Sequence, residues 1–420
     1  MERALLVSIK LNSERDSWHL EDYAMELEEL TATCGAEVVD NIACVLRDKP
    51  TPNLFIGKGK AEEIGLLCQE ENIDTVIFSH DLSGTQQRNL EDVIERKTID
   101  RTQLILDIFA RHAKTLEGKT QVELAQLQYL LPRLVGKGII LSRLGGGIGT
   151  RGPGEQKLEI DRRHIRRRIT KLQSDLKNLL LHRETLRKKR QDNAVPSIVL
   201  VGYTNAGKST LLNALTGAGQ VVSDSLFTTL DPLSKGMKLP NGENVVISDT
   251  VGFLHKLPHH LIEAFKATLE EVREADLLIH VLDAAHPRAK ELSKAVFEVL
   301  EELGIEDKPV ITALNKIDLL EDKALLSKLS EEMINPVYIS AKSGKNLSQL
   351  FEKIEENFQS RMIALTLIIP HARMDLIDLF YRQGHVKEIK YQQQGIKVSV
   401  SLPKIIAYNI LKNKDIEHIY

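Results

Sequence analysis

The segment SIVLVGYTNAGKST (197–210) constrains this chain more than any other. An apolar strand runs into the turn Gly202-Tyr203-Thr204-Asn205-Ala206-Gly207-Lys208-Ser209, and the amphipathic run STLLNALTG follows. Strand, glycine-bearing loop and helix in that order bring backbone N–H groups together at a helix N-terminus, where they and the helix dipole face phosphate. In such a loop Lys208 reaches the β- and γ-phosphates and the Ser209 hydroxyl takes a Mg²⁺ position, with Thr210 next in the motif.

Four further segments follow in order. ENVVISDTVGF (243–253) is an apolar strand ending in Asp249-Thr250-Val251-Gly252. A carboxylate at Asp249 suits the magnesium through water, and the Gly252 N–H suits a γ-phosphate sensor. PVITALNKID (309–318) ends in Asn315-Lys316-Ile317-Asp318. The Asp318 carboxylate would accept from N1–H and the 2-amino group of guanine, donors that adenine lacks. Sites built on such bonds discriminate by roughly 10⁴ or more. VYISAKSG (337–344) supplies Ser340-Ala341-Lys342 to pack the base. LFTTLDP (226–232), with Phe227, Thr228 and Thr229, lies between the phosphate loop and the Asp249 strand. One threonine there should reach Mg²⁺ and the γ-phosphate; Thr229 is the choice, with Thr228 the alternative. Lys208, Thr229 and Gly252 are the expected catalytic groups, and Ser209, Thr229 and Asp249 the expected metal site.

Phe253 follows Gly252, where Ras-type GTPases carry the glutamine that orients the attacking water. A phenyl ring neither donates nor accepts, so intrinsic hydrolysis should be slow until another residue, a cation or a partner completes the site. Asn205 is a candidate ligand for a monovalent cation such as K⁺; a bond within its own loop is the competing reading. His259 and His260 read first as surface residues, with proton transfer the alternative.

At 420 residues the chain needs two to four domains. Residues 1–101 read as a small α/β domain with strands in ALLVSIK, AEVVDNI and DTVIFSH. Its IGKGK (56–60) reads as a turn before a helix more readily than as a phosphate site. Residues 102–194 read as a basic antiparallel helical hairpin, coiled-coil-like, with a glycine-rich tip at 135–154. Ile165, Ile169, Leu172, Leu176 and Leu179 alternate spacings of four and three; Leu124, Leu127, Leu131 and Leu134 form the facing stripe. Between Glu155 and Asp192 there are 13 Lys/Arg against 6 Asp/Glu, a surplus of +7 in a chain whose net charge is −3. Such segregated charge suggests a nucleic-acid footprint, with Arg143 and Arg151 in the tip as RNA contacts. A flexible loop is the competing reading of the tip. Residues 195–360 form the P-loop GTPase domain, and 361–420 a small C-terminal α+β module without a chemical motif. The fold class is α/β. Three cysteines without a C-x-x-C suit buried thiols in a reducing cytosol. No apolar run approaches the roughly 20 residues of a membrane span. A soluble cytoplasmic monomer is expected, with any membrane association peripheral.

These motifs together resemble the HflX family of translation-factor-related GTPases. The carriers are SRLGGGIGTRGPGE with KLEIDRRHIRRRI, GYTNAGKSTLLNAL, LFTTLD, DTVGF with LPHHLIEAF, and NKID. The resemblance covers nearly the whole chain. It implies GTP and GDP as ligands, the large ribosomal subunit and its RNA as partner, and a role in splitting or rescuing stalled ribosomes. It also implies that the tip with Arg143 and Arg151 reaches RNA near the peptidyl-transferase region, and that Phe253 is the family's own residue. Two rivals stand beside this reading. One is an ATP-dependent RNA-remodelling enzyme working through the N-terminal part; the other is a signalling switch that dimerises through the hairpin.

Overall fold

The computed structural model describes residues 1–12, 18–46, 49–134, 153–192, 195–217, 227, 233–256, 266–305, 307–320, 323–359, 361–392, 395–411 and 417–419. They divide into two compact units: Met1–Leu180 with Ser223–Asp231 and Lys256–Lys266, and Leu181–Val222 with Pro232–His255 and Ala267–Tyr420.

The first unit begins β1 (Arg3–Leu11), α1 (Leu20–Thr33), β2 (Glu37–Leu46), α2 (Lys58–Glu70), β3 (Thr75–Phe78), α3 (Gly84–Ile94) and β4 (Lys97–Asp100). Its sheet runs β2-β1-β3-β4 with every pairing parallel. Parallel sheets are covered on both faces, so their strands read as apolar runs. Leu5, Val7, Ile9, Val76 and Phe78 accordingly enter one core. The fourth strand, KTID, was not expected: four residues opening on an exposed lysine carry too little pattern.

α4 (Arg101–His112) and α5 (Leu116–Arg133) follow β4. α4 packs on α1, β3, β4 and α5, and α5 also meets α3. Leu104, Ile105, Ile108 and Phe109 are buried in α4, and Leu124, Ala125 and Tyr129 in α5. The helix expected as the first arm of the hairpin thus also packs on N-terminal elements. Buried Asp100 fixes it, accepting from Gln103 N–H at 2.8 Å, the Tyr129 hydroxyl at 2.8 Å and Arg133 Nη2 at 2.9 Å.

α6 (Pro153–Asp192) is the 40-residue basic helix, about 60 Å at 1.5 Å per residue. It starts at Pro153, inside the tip expected at 135–154, because proline lacks only an N–H that the first turn leaves unpaired. Arg168 joins it to Glu123 of α5 by two bonds of 2.6 and 2.7 Å. Leu172 is buried, and Ile165, Ile169, Leu176 and Leu179 are half-buried among exposed neighbours. The alternating seam is present over this stretch.

The second unit holds β5 (Ser197–Val201), α7 (Lys208–Thr216), β6 (Leu233–Lys238), β7 (Asn244–Asp249), α8 (Lys266–Glu274, from Ala267), β8 (Leu277–Asp283), α9 (Ala289–Glu302), β9 (Val310–Asn315), α10 (Lys323–Ser330), β10 (Pro336–Tyr338) and α11 (Leu347–Gln359). Its sheet order is β10-β9-β8-β5-β7-β6, parallel except for β6 against β7. The carboxyl ends of β5, β7, β8 and β9 thus share one edge, the place where open α/β sheets bind ligands. The same unit ends in β11 (Met362–Ile369), α12 (Met374–Gln383), β12 (His385–Gln392), β13 (Gly395–Pro403), α13 (Lys404–Leu411) and β14 (Glu417–Ile419). These form an antiparallel sheet, β12-β13-β11-β14, with its own core around Leu367, Phe380 and Val398. β14 adds a short edge strand beside β11.

All three cysteines are free; burial pushes the Cys34 and Cys68 thiols up to about 11. Among the described residues, no helix is long and apolar enough to cross a membrane.

Candidate functional site

The site grows from the turn between β5 and α7. Gly207 caps α7 at φ +94°, a backbone region that L side chains rarely adopt. A Cβ there would also stand 2.3 Å from Asn315 Nδ2. Asn205, at φ +58°, is exposed, and asparagine is among the few side chains that tolerate this conformation. Lys208 donates to the carbonyls of Tyr203 at 2.7 Å and Gly202 at 3.1 Å. Burial pushes its ammonium down to about 8, against the opposing pull of Asp249. A buried cation at a helix N-terminus is a ready partner for phosphate.

The segment after β7 lies alongside this loop. Phe253 N–H donates to Gly202 C=O at 3.1 Å, and Thr204 N–H to Phe253 C=O at 3.0 Å. A Cβ on Gly252 would fall 2.7 Å from Thr204 Cα, so only glycine fits this approach. The Phe253 side chain is buried, whereas Thr250 gives its hydroxyl to Leu200 C=O at 2.7 Å. The Tyr203 hydroxyl accepts from His255 N–H at 3.0 Å, a second tie that no motif announced.

Ser209 Oγ donates to Asp249 Oδ2 at 2.6 Å, and Asp249 is fully buried. Two hard oxygen donors this close, at a helix N-terminus, fit Mg²⁺. The third expected ligand, Thr229, and its alternative Thr228 lie outside the described residues, as do Arg143, Arg151, His259 and His260. Phe227 is described: its ring meets that of Phe109 edge-on, 4.7 Å between centroids, within the first unit.

The segments expected to read the base are joined to the phosphate loop by one side chain. Asn315 Nδ2 donates to Ala206 C=O at 2.9 Å, and its Oδ1 accepts from Ala341 N–H at 2.9 Å. Ala341 is buried and Lys342 exposed. A hydrogen bond from Ser340 holds the Asp318 carboxyl below its usual range. Exposed and ionised, it is poised to accept from a base. Lys316, at φ +62°, pairs with Asp283 at 2.8 Å. Asp283 was missed; its signal was a lone carboxylate ending the apolar strand LLIHVLD.

The glycines of IGKGK show no comparable demand. Gly57 caps α2, and a Cβ on Gly57 or Gly59 would meet nothing within 4 Å.

An exposed, ionised carboxylate after β9, a cradle with a buried lysine, and a serine–aspartate oxygen pair together fit a P-loop GTPase. Family models agree along the chain: "GTP-binding GTPase N-terminal" matches 21–110, "GTP-binding GTPase Middle Region" 112–190, and "50S ribosome-binding GTPase" 197–316. The GTPase HflX of Caldanaerobacter subterraneus subsp. tengcongensis is 48% identical over 403 residues, covering 96% of this chain and 91% of that one. The GTPase HflX of Escherichia coli K12 is 43% identical over 404 residues, 96% and 94% of the two chains. Among solved structures, a GTP-binding protein from Sulfolobus solfataricus in complex with GDP matches at 28% identity and TM-score 0.44, over 86% of this chain and 99% of that one. The chain belongs to the HflX family of GTPases; it binds GTP and hydrolyses it.

Proposed function

We propose that this GTPase associates with the large ribosomal subunit, uses GTP to time its stay, and splits or rescues stalled ribosomes. The carrying observation is the pairing of a guanine-nucleotide site with a long helix of concentrated positive charge. The family model over 197–316, described as a 50S ribosome-binding GTPase, supports the same partner.

In the mechanism, Asp318 selects guanine and Lys208 takes the β/γ-phosphate charge. Ser209 and Asp249 would hold Mg²⁺, which neutralises charge developing on the phosphates. Thr229 and Gly252 are assigned to the γ-phosphate, and exposed Asn205 to a monovalent cation, K⁺. Phe253 has no polar atom for the attacking water and its side chain is buried. The ribosome is proposed to complete that function; supplied arginine fingers in other GTPases are worth 10³–10⁵ in rate. Hydrolysis then releases the protein.

Arg143 and Arg151 are the proposed RNA contacts. The test is sedimentation of the full chain with purified large subunits at physiological salt, bound to a non-hydrolysable GTP analogue. Co-sedimentation that disappears in the Arg143→Glu, Arg151→Glu double variant supports the tip assignment. Equal binding by the double variant rejects it.

The ATPase reading of the N-terminal part is not adopted, because the glycines of IGKGK make no steric demand of the kind seen at Gly207 and Gly252.

A further inference from the structure

We infer that the C-terminal module is coupled to the bound nucleotide through the β6–β7 hairpin, so that the module changes its hold on the hairpin tip between the GDP and GTP states. This goes beyond the ribosomal reading, and every contact it uses lies in the second unit.

The base of the hairpin lies at the phosphate loop, where Asp249 bonds Ser209. β6 begins at Leu233, just after the stretch with Thr228 and Thr229, and β7 ends at Asp249, which bonds Ser209. The strands pair without a register shift from Leu233↔Asp249 to Lys238↔Asn244. An unbroken ladder of six residues is a ribbon on the order of 20 Å long at about 3.4 Å per residue. A displacement at its nucleotide end is therefore carried to its tip.

The tip is held by the α11 and C-terminal elements. Asn241 N–H donates to Glu355 Oε1 of α11 at 2.7 Å. Asn244 Nδ2 donates to the Arg382 carbonyl, in the last turn of α12, at 2.7 Å. Gly242, at φ +89°, lies so close to His385 that a Cβ would stand 3.1 Å from Nδ1. Three neighbouring residues thus touch α11, α12 and the start of β12.

Two features mark this docking as adjustable. A cavity of about 480 Å³ adjoins it, bordered by Asn241, Glu355, His385 and Lys387, which leaves room for movement. Beside it Glu243 is 4% exposed, and its Oε2 has no hydrogen-bond partner among the described residues. A buried carboxyl with one unsatisfied oxygen is costly.

Coupling is reciprocal: if the nucleotide changes how the tip is held, that hold changes the relative affinity for GTP and GDP. The experiment uses the full chain with GDP or a non-hydrolysable GTP analogue and no ribosome, so its outcome is separate from that of the ribosomal reading. Amide exchange over 382–387 is expected to differ at least about fivefold between the states, the low end of typical couplings. Asn244→Ala should abolish the difference and move the GTP-analogue/GDP affinity ratio by a similar factor. Glu355→Gln retains an acceptor for Asn241 N–H and should behave as wild type. Equal exchange in both states of the wild-type chain would overturn the inference. So would an unchanged affinity ratio in Asn244→Ala.

Discussion

At Asn315 both halves of one amide are committed, Nδ2 to Ala206 and Oδ1 to Ala341. Alanine there would leave a buried carbonyl and a buried N–H unpaired, at about 1–3 kcal/mol each. Asn315→Ala should therefore lower GDP affinity by at least about tenfold and depress the denaturation midpoint. Titration with a fluorescent GDP analogue checks this; wild-type affinity would show that the bridge is dispensable. The motif Asn315-Lys316-Ile317-Asp318 was legible because base-reading chemistry fixes its residue types. That Asn315 also bridges two loops was not, because Ala206 lies 109 residues away in the chain. Phe227 teaches the same lesson, since its packing against Phe109 is written in neither local segment.

At the scale of elements, strongly periodic segments were readable and short ones were not. The apolar runs of β1, β5, β8 and β9 announce buried parallel strands, whereas KTID and the final EHI offer three or four residues each. The stripe on α5 was seen, but an apolar stripe does not name the surface that covers it, and α3 and α4 share that role. The β6–β7 hairpin carries its own prediction. Burial pushes Glu243 up to about 7, with Glu355 adding to the rise and Arg361 and the Asn241 bond opposing it. A carboxyl raised above its unfolded value of about 4.5 binds its proton more tightly in the folded chain. Its stabilising effect is full below that value and is lost as pH rises through about 7. Glu243→Gln should remove this loss, flattening the fall in denaturation midpoint between pH 5 and 8 (the wild-type slope is the control). An unchanged slope would mean that Glu243 does not titrate in that window.

For the whole molecule, charge is divided sharply. Residues 155–192 carry a surplus of +7 while the chain as a whole is at −3. Attraction to RNA should therefore be local and salt-dependent rather than global. Binding of the full chain to large-subunit RNA should weaken linearly in a plot of log affinity against log salt. The Arg143→Glu, Arg151→Glu variant should flatten that slope by roughly 0.7–0.9 for each phosphate it no longer neutralises. A slope unchanged by the two substitutions would place the phosphate-binding residues elsewhere on the chain.

The most direct test of the account is GTP turnover by the full chain with and without purified large ribosomal subunits in potassium buffer. Completion of a site that Phe253 leaves without a water-orienting group predicts slow intrinsic turnover and stimulation by the subunit of roughly 10²-fold or more, approaching what supplied groups achieve elsewhere. A rate that is the same with and without the subunit would contradict it.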